Sequence, residues 1–142
     1  MALDKVEIID LPKICDPRGN LSFIEGNNHI PFKIERTYWI YDVPGGKTRS
    51  GHAFRTQEEF IVALSGSFDI ILNDGKGNEE TFHMARSYYG LHIPPMTWRR
   101  IVNFSTNSVA LVLSSTHFSP DDYIEDYNEY LQYLQENEEA TI

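Results

Sequence analysis

The chain has 142 residues, 41% of them hydrophobic and 23% charged, a length at which one domain buries roughly 70% of the surface its unfolded chain exposes. No run approaches the ~20 apolar residues that cross a bilayer, the start lacks a signal peptide's basic flank and apolar core, and Cys15 is the single cysteine. These features point to one cytoplasmic domain over residues 1–142 without membrane, disulfide or zinc-knuckle character. The net charge of −9 gathers at one end: residues 119–142 hold eight acids and no Lys or Arg, leaving thirteen acids against twelve bases elsewhere. A nucleic-acid polymer is therefore not the expected partner, whereas the seven arginines of the body suit a small phosphorylated ligand.

In chain order, short β-rich runs occur at 6–9, 21–25, 37–41, 51–54, 59–64, 68–72, 79–84, 90–93, 98–104 and 109–114. Breakers separate them: Pro17-Arg18-Gly19, Pro44-Gly45-Gly46, Ser65-Gly66, the 73–78 hairpin tip and Pro94-Pro95. That spacing predicts an all-β sandwich or barrel over about residues 1–117. The end differs in kind, because Ser119-Pro120-Asp121-Asp122 offers an N-cap, a proline at the first helical position and first-turn acids. A C-terminal helix is predicted over about 120–136. Its apolar stripe is Tyr123, Ile124, Tyr127, Tyr130, Leu131 and Leu134, with the acids on its solvated face.

Gly46, His52, Phe54, Glu59 and Gly66 follow the spacing G-x5-H-x-H-x4-E-x6-G, with Phe54 in place of the second histidine. That pattern resembles the first motif of the cupin family. The second cupin motif is echoed by residues 95–100, with Arg100 in place of the histidine. The resemblance implies a cupin jelly-roll barrel with a C-terminal helix. Metal-binding cupins use three histidines and a glutamate; Phe54 and Arg100 in two of those places predict that no metal is held. On a strand His52 and Phe54 share a face, with Glu59 returning from the next strand.

Within the cupins, the run from Arg49 to Arg55, the strand ending Leu64-Ser65-Gly66-Ser67, Asp16-Pro17-Arg18-Gly19-Asn20-Leu21, Arg36-Thr37-Tyr38-Trp39-Ile40-Tyr41, Trp98 with Asn103-Phe104-Ser105, and Asp122-Tyr123-Ile124 occur in one order over nearly the whole chain. Together they resemble the dTDP-sugar 3,4-ketoisomerases, the WxcM-like cupins. The resemblance implies a cytoplasmic homodimer that needs no cofactor and moves the carbonyl of a dTDP-4-keto-6-deoxyhexose from carbon 4 to carbon 3. It implies His52 as the base and Tyr38 as a proton shuttle, with Arg18, Arg49, Glu59, Trp98, Arg99 and Phe54 around the substrate. Only one of Arg99 and Arg100 can face inward on a regular strand, and Arg99 is the expected one. Glu59 reads either as an orienter of His52 or as a structural acid at the barrel mouth. His29, His83, His92 and His117 default to structural or surface roles. Two other readings stay open, a non-catalytic sugar-nucleotide-binding cupin that lost its second histidine, and a related carbohydrate epimerase.

Overall fold

Turn chemistry and side-chain alternation divide residues 2–48 and 51–140, which the computed structural model describes, into short strands and one helix. In chain order these are β1 (Glu7–Asp10), β2 (Lys13–Asp16), β3 (Gly19–Ser22), β4 (Arg36–Tyr41), β5 (Ala53–Phe54), β6 (Glu59–Ser65), β7 (Phe68–Asn73), β8 (Glu79–Met84), β9 (Tyr89–Ile93), β10 (Trp98–Val102), β11 (Val109–Ser114), β12 (Tyr123–Ile124) and α1 (Tyr127–Ala140). A five-stranded antiparallel sheet in the order β1-β9-β6-β11-β4 packs against a three-stranded one in the order β10-β7-β8. Their inward residues, among them Ile61, Phe68, Ile70, Leu72, Leu91, Ile93 and Val112, form one core. The all-β cupin barrel expected from the sequence is the architecture found.

β6 explains how the site acquires a buried carboxylate. Its residues Glu59 to Ala63 are all buried, because the strand is covered on both faces. Ile61 and Ala63 belong to the core between the sheets. Phe60 and Val62 point the other way, into a second cluster with Leu11, Ile30, Phe32 and Leu113 on the outer face. Period-2 alternation therefore sends Glu59 inward, at the mouth of the core.

Two sequence expectations are corrected. β2 was absent from the expected strands; it pairs with β3 as a hairpin around Pro17-Arg18-Gly19, joined across the pair by Ile14 opposite Leu21. The helix begins at Tyr127, not near residue 120. Pro120–Asp122 make one 3-10 turn, and β12 then pairs antiparallel with β5 through Tyr123–Phe54 and Ile124–Ala53. Asp122, one of the acids assigned to a solvated face, is instead buried. Its carboxylate accepts hydrogen bonds from Thr56 N (2.8 Å), Thr56 Oγ1 (2.9 Å) and Gln57 N (3.1 Å). Those bonds and the strand pairing outweigh the local helix signal. Asp126 opens the true helix by accepting from Asn128 N at 3.0 Å. The helix packs through Tyr130, Leu131, Tyr133 and Leu134 against Ala53, Trp98 and Ile124.

Candidate active site

A cavity of about 570 Å³ opens at the mouth of the core, and His52, Tyr38, Glu59, Arg99, Arg100 and Tyr123 are among its lining residues. Local backbone places each of them. His52 is held just before β5 by an antiparallel bridge to β10: its N–H donates to Arg99 O at 3.0 Å, and Arg99 N–H donates to His52 O at 2.9 Å. The preceding Gly51 lets the chain approach Trp98; a Cβ there would lie 2.6 Å from Trp98 Nε1. On the opposite sheet Tyr38 and Ile61 both pair with Val112 of β11. Tyr38 reaches diagonally to Glu59, two residues before Ile61.

The centre of the site is Glu59, whose side chain and that of Arg99 are each 1% exposed. Arg99 Nη1 donates to Glu59 Oε1 at 2.5 Å, and its Nη2 donates to Thr97 O at 3.1 Å. Glu59 Oε2 accepts from the Tyr38 hydroxyl at 2.7 Å and from Gln57 Nε2 at 2.8 Å. Gln57 is buried in turn and also donates to Ser114 Oγ at 3.2 Å, while its Oε1 accepts from Thr116 Oγ1 at 2.7 Å and from Arg36 at 3.1 Å. Every carboxylate oxygen is thus matched, as a buried charge requires. Burial, reinforced by the neighbouring Glu59 charge, pushes the Tyr38 phenol well above its ordinary range. Tyr38 therefore enters any reaction as a neutral hydroxyl and not as a phenolate.

Of the two arginines, Arg99 occupies the interior and Arg100 is exposed at the rim. The phase is set just upstream. Met96 adopts φ 62° in the left-handed region, with its N–H donating to Phe54 O at 2.8 Å, before β10 begins. The cation inside the barrel is accordingly Arg99, where the motif alignment had put Arg100. The residues present do not fit the divalent ion of other cupins. A guanidinium already sits on Glu59 Oε1, and Phe54 has no donor atom. Among the described residues no three of His, Cys, Asp and Glu cluster as metal ligands.

Three expected substrate neighbours lie off the cavity. Phe54 is fully buried behind the wall, 5.0 Å from the Arg99 guanidinium and 4.6 Å, ring to ring, from Tyr123, with His52 edge-on at 5.0 Å. It supports His52 and Arg99 from beneath, because pairing with β12 covers it. Trp98 packs on Tyr127 and Tyr130 of α1 and over Gly51, so it shapes the wall from behind. Arg18, with a side chain 91% exposed, is bonded to Asp16 on the β2–β3 hairpin. Arg49 lies outside the described residues. Tyr123 lines the cavity, its ring 5.7 Å from that of His52, and sequence reasoning assigned it to the helix stripe. The Asp-Tyr-Ile run was the available signal, and only its pairing with β5 reveals which way the tyrosine faces. Of the other histidines, His92 is buried and donates to Glu58 at 2.9 Å, whereas His83 and His117 make exposed contacts with Asp69 and Glu35.

Two packed sheets with a histidine, a neutral tyrosine and an arginine-bound carboxylate around one cavity define a cupin furnished for proton transfer. Comparisons with known proteins agree. The family described as WxcM-like, C-terminal (FdtA) matches residues 4–135. The TDP-4-oxo-6-deoxy-alpha-D-glucose-3,4-oxoisomerase of Aneurinibacillus thermoaerophilus is 37% identical over 90% of this chain and 91% of its own. Among solved structures, the WlaRB TDP-quinovose 3,4-ketoisomerase of Campylobacter jejuni is 40% identical, with a TM-score of 0.86 over 90% of this chain and 98% of that one. An Asn-for-His variant of the 3,4-ketoisomerase QdtA of Thermoanaerobacterium thermosaccharolyticum, in complex with TDP-4-keto-6-deoxyglucose, is 32% identical, with a TM-score of 0.89 over 92% and 94% of the two chains. The chain belongs to the WxcM-like, FdtA C-terminal family.

Proposed function

We infer that this protein is a sugar-nucleotide 3,4-ketoisomerase acting on a TDP-linked 4-keto-6-deoxyhexose. The observation that carries the reading is the joint placement of His52 and Tyr38 on one cavity, beside a carboxylate neutralised by Arg99, in a chain of this family. The imidazole of His52 takes the hydrogen of carbon 3, the C3–H electrons form the C3=C4 bond, and the carbonyl electrons pass to O4 as an enediolate. Return of that proton to carbon 4, with transfer of the O3 proton to O4, leaves the 3-keto sugar. Imidazole suits both steps, since its ordinary titration range spans neutral pH. No redox cofactor enters, because the substrate is oxidised at carbon 3 and reduced at carbon 4 within one molecule. Arg99 lines the same cavity with its guanidinium already engaged by Glu59 Oε1 and Thr97 O.

The working unit in this reading is a homodimer. Ile14 and Leu21 pair with each other across the β2–β3 hairpin yet are 53% and 56% exposed. A two-stranded hairpin of this kind is marginal in water unless something covers it, and a second copy of the chain is the proposed cover. Arg18 sits at the tip of that hairpin, so its proposed substrate contact belongs to the assembled pair.

NMR of TDP-4-keto-6-deoxyglucose with the protein in deuterium oxide tests the function. Conversion to the 3-keto sugar is expected, together with solvent deuterium at the carbon that His52 serves. His52→Asn is expected to abolish both while still binding TDP. Tight TDP binding by the unaltered protein with neither exchange nor conversion would make it a binding module.

A further inference from the structure

The transposition moves two protons, and His52 accounts for only the one on carbon. The other must leave O3 and arrive at O4. Phe54, which stands where the motif has a second histidine, is fully buried and carries no exchangeable proton. A different pair of groups is already aligned for this task. Tyr38 lines the cavity, and its hydroxyl donates at 2.7 Å to Glu59 Oε2. With its hydrogen directed inward, the phenol oxygen keeps lone-pair capacity for a donor on the cavity side. Glu59 Oε1 is held by Arg99 and Oε2 also by Gln57, so the carboxylate cannot swing away to act on the substrate by itself.

Resting on the isomerase reading above, in which Tyr38 is already the expected shuttle, we propose that Glu59 is the inner terminus of a two-site proton relay, taking the hydrogen of the Tyr38 phenol that it accepts at 2.7 Å and returning it. As carbon 4 takes its proton from the His52 imidazolium, the O3–H bond breaks and its electron pair forms the C3=O bond. The O3 proton passes to the Tyr38 oxygen while the phenol's own hydrogen passes to Glu59 Oε2. The relay then runs backwards. The Glu59 proton returns to the Tyr38 oxygen, the phenol hydrogen passes to the O4 alkoxide, and both side chains regain their starting state. Charge and protons balance with no other reactant. Arg99 and Gln57 serve as positioning residues, because they hold Glu59 against Tyr38 without accepting a proton.

The test separates the two protons. In deuterium oxide, NMR follows exchange of the carbon-3 hydrogen, which needs only His52, and net conversion, which also needs the relay. Glu59→Gln keeps the shape and accepts the Tyr38 hydrogen bond but cannot receive its proton. Conversion is expected to fall by about a hundredfold or more, the usual worth of a general acid–base group, and to fall far more than carbon-3 exchange, which needs only His52. Tyr38→Phe preserves the Glu59–Arg99 ion pair and is expected to show the same split, and the double variant Arg99→Met with Glu59→Gln, which leaves no buried charge unpaired, keeps the role of Glu59 testable if Glu59→Gln alone fails to fold. Undiminished conversion by any folded variant would overturn the relay. So would equal loss of exchange and conversion, the signature of a merely structural role. Absence of both activities in the unaltered protein overturns the isomerase reading itself, an outcome distinct from failure of the relay.

Discussion

Arg99 and Glu59 bury opposite charges against each other at 2.5 Å, each 1% exposed, an arrangement in which losing one partner costs far more than losing both. Arg99→Met is expected to destabilise the fold by about 3–5 kcal/mol by leaving Glu59 uncompensated, and the double variant Arg99→Met with Glu59→Gln to recover much of that loss. Denaturant midpoints of the single and double variants check the prediction; additive losses would contradict it. Phe54 contributes to the same cluster through the face it offers the Arg99 guanidinium at 5.0 Å. The motif spacing made His52 and Glu59 candidates, and both line the cavity, His52 from the bridge before β5 and Glu59 from the start of β6. It misplaced Phe54 as a substrate neighbour because spacing says which face a side chain takes but not what covers that face. The partner that covers it, Tyr123, comes from 69 positions later in the chain.

At the scale of elements, a few residues lock strands that alternation alone leaves free to slip. Asp69 of β7 accepts from Asn103 Nδ2 at 2.8 Å, just past β10, and from His83 Nδ1 of β8 at 2.7 Å, so one carboxylate spans the three-stranded sheet. The Asn103 bond first, and then the His83 bond, hold its carboxyl below the usual carboxylate range. A carboxylate depressed in the folded state stabilises fully above its unfolded value of about 3.9 and loses that contribution as pH falls through the folded value. Thermal midpoints between about pH 2 and pH 6 are therefore expected to fall less steeply on the acid side for Asp69→Asn than for the unaltered protein. Parallel curves would remove Asp69 from the acid response. Strand positions such as 79–84 and 109–114 were readable as β-rich runs between turn residues, since β8 and β11 begin and end there. The segment from 119 to 126 was not. Its capping pattern is that of a helix, and the bonds from Asp122 to Thr56 and Gln57 that straighten it join residues 65 and 66 positions apart.

For the whole molecule, the exposed hairpin carries the proposal of a dimer. Sedimentation is expected to give twice the chain mass of 16.4 kDa, and Ile14→Lys with Leu21→Lys to shift the protein to single chains without unfolding it. A monomeric unaltered protein would remove the partner copy and, with it, the proposed role of Arg18. The sequence by itself determined an all-β sandwich or barrel with a separate C-terminal helix, because turn residues and β-rich runs are properties of neighbours along the chain, and its likeness to a known family made His52, Glu59, Tyr38 and Arg99 candidates. Only the tertiary structure decided that Arg99 and not Arg100 enters the barrel, that Phe54 lies behind its wall, that Tyr123 faces the cavity and that Tyr38 is bonded to Glu59. Those outcomes depend on a left-handed residue at Met96, on the pairing of β5 with β12 and on which buried donors meet which acceptors. Burial makes each of them nearly obligatory once the chain has folded, yet each joins residues from different strands, where no local pattern can register it.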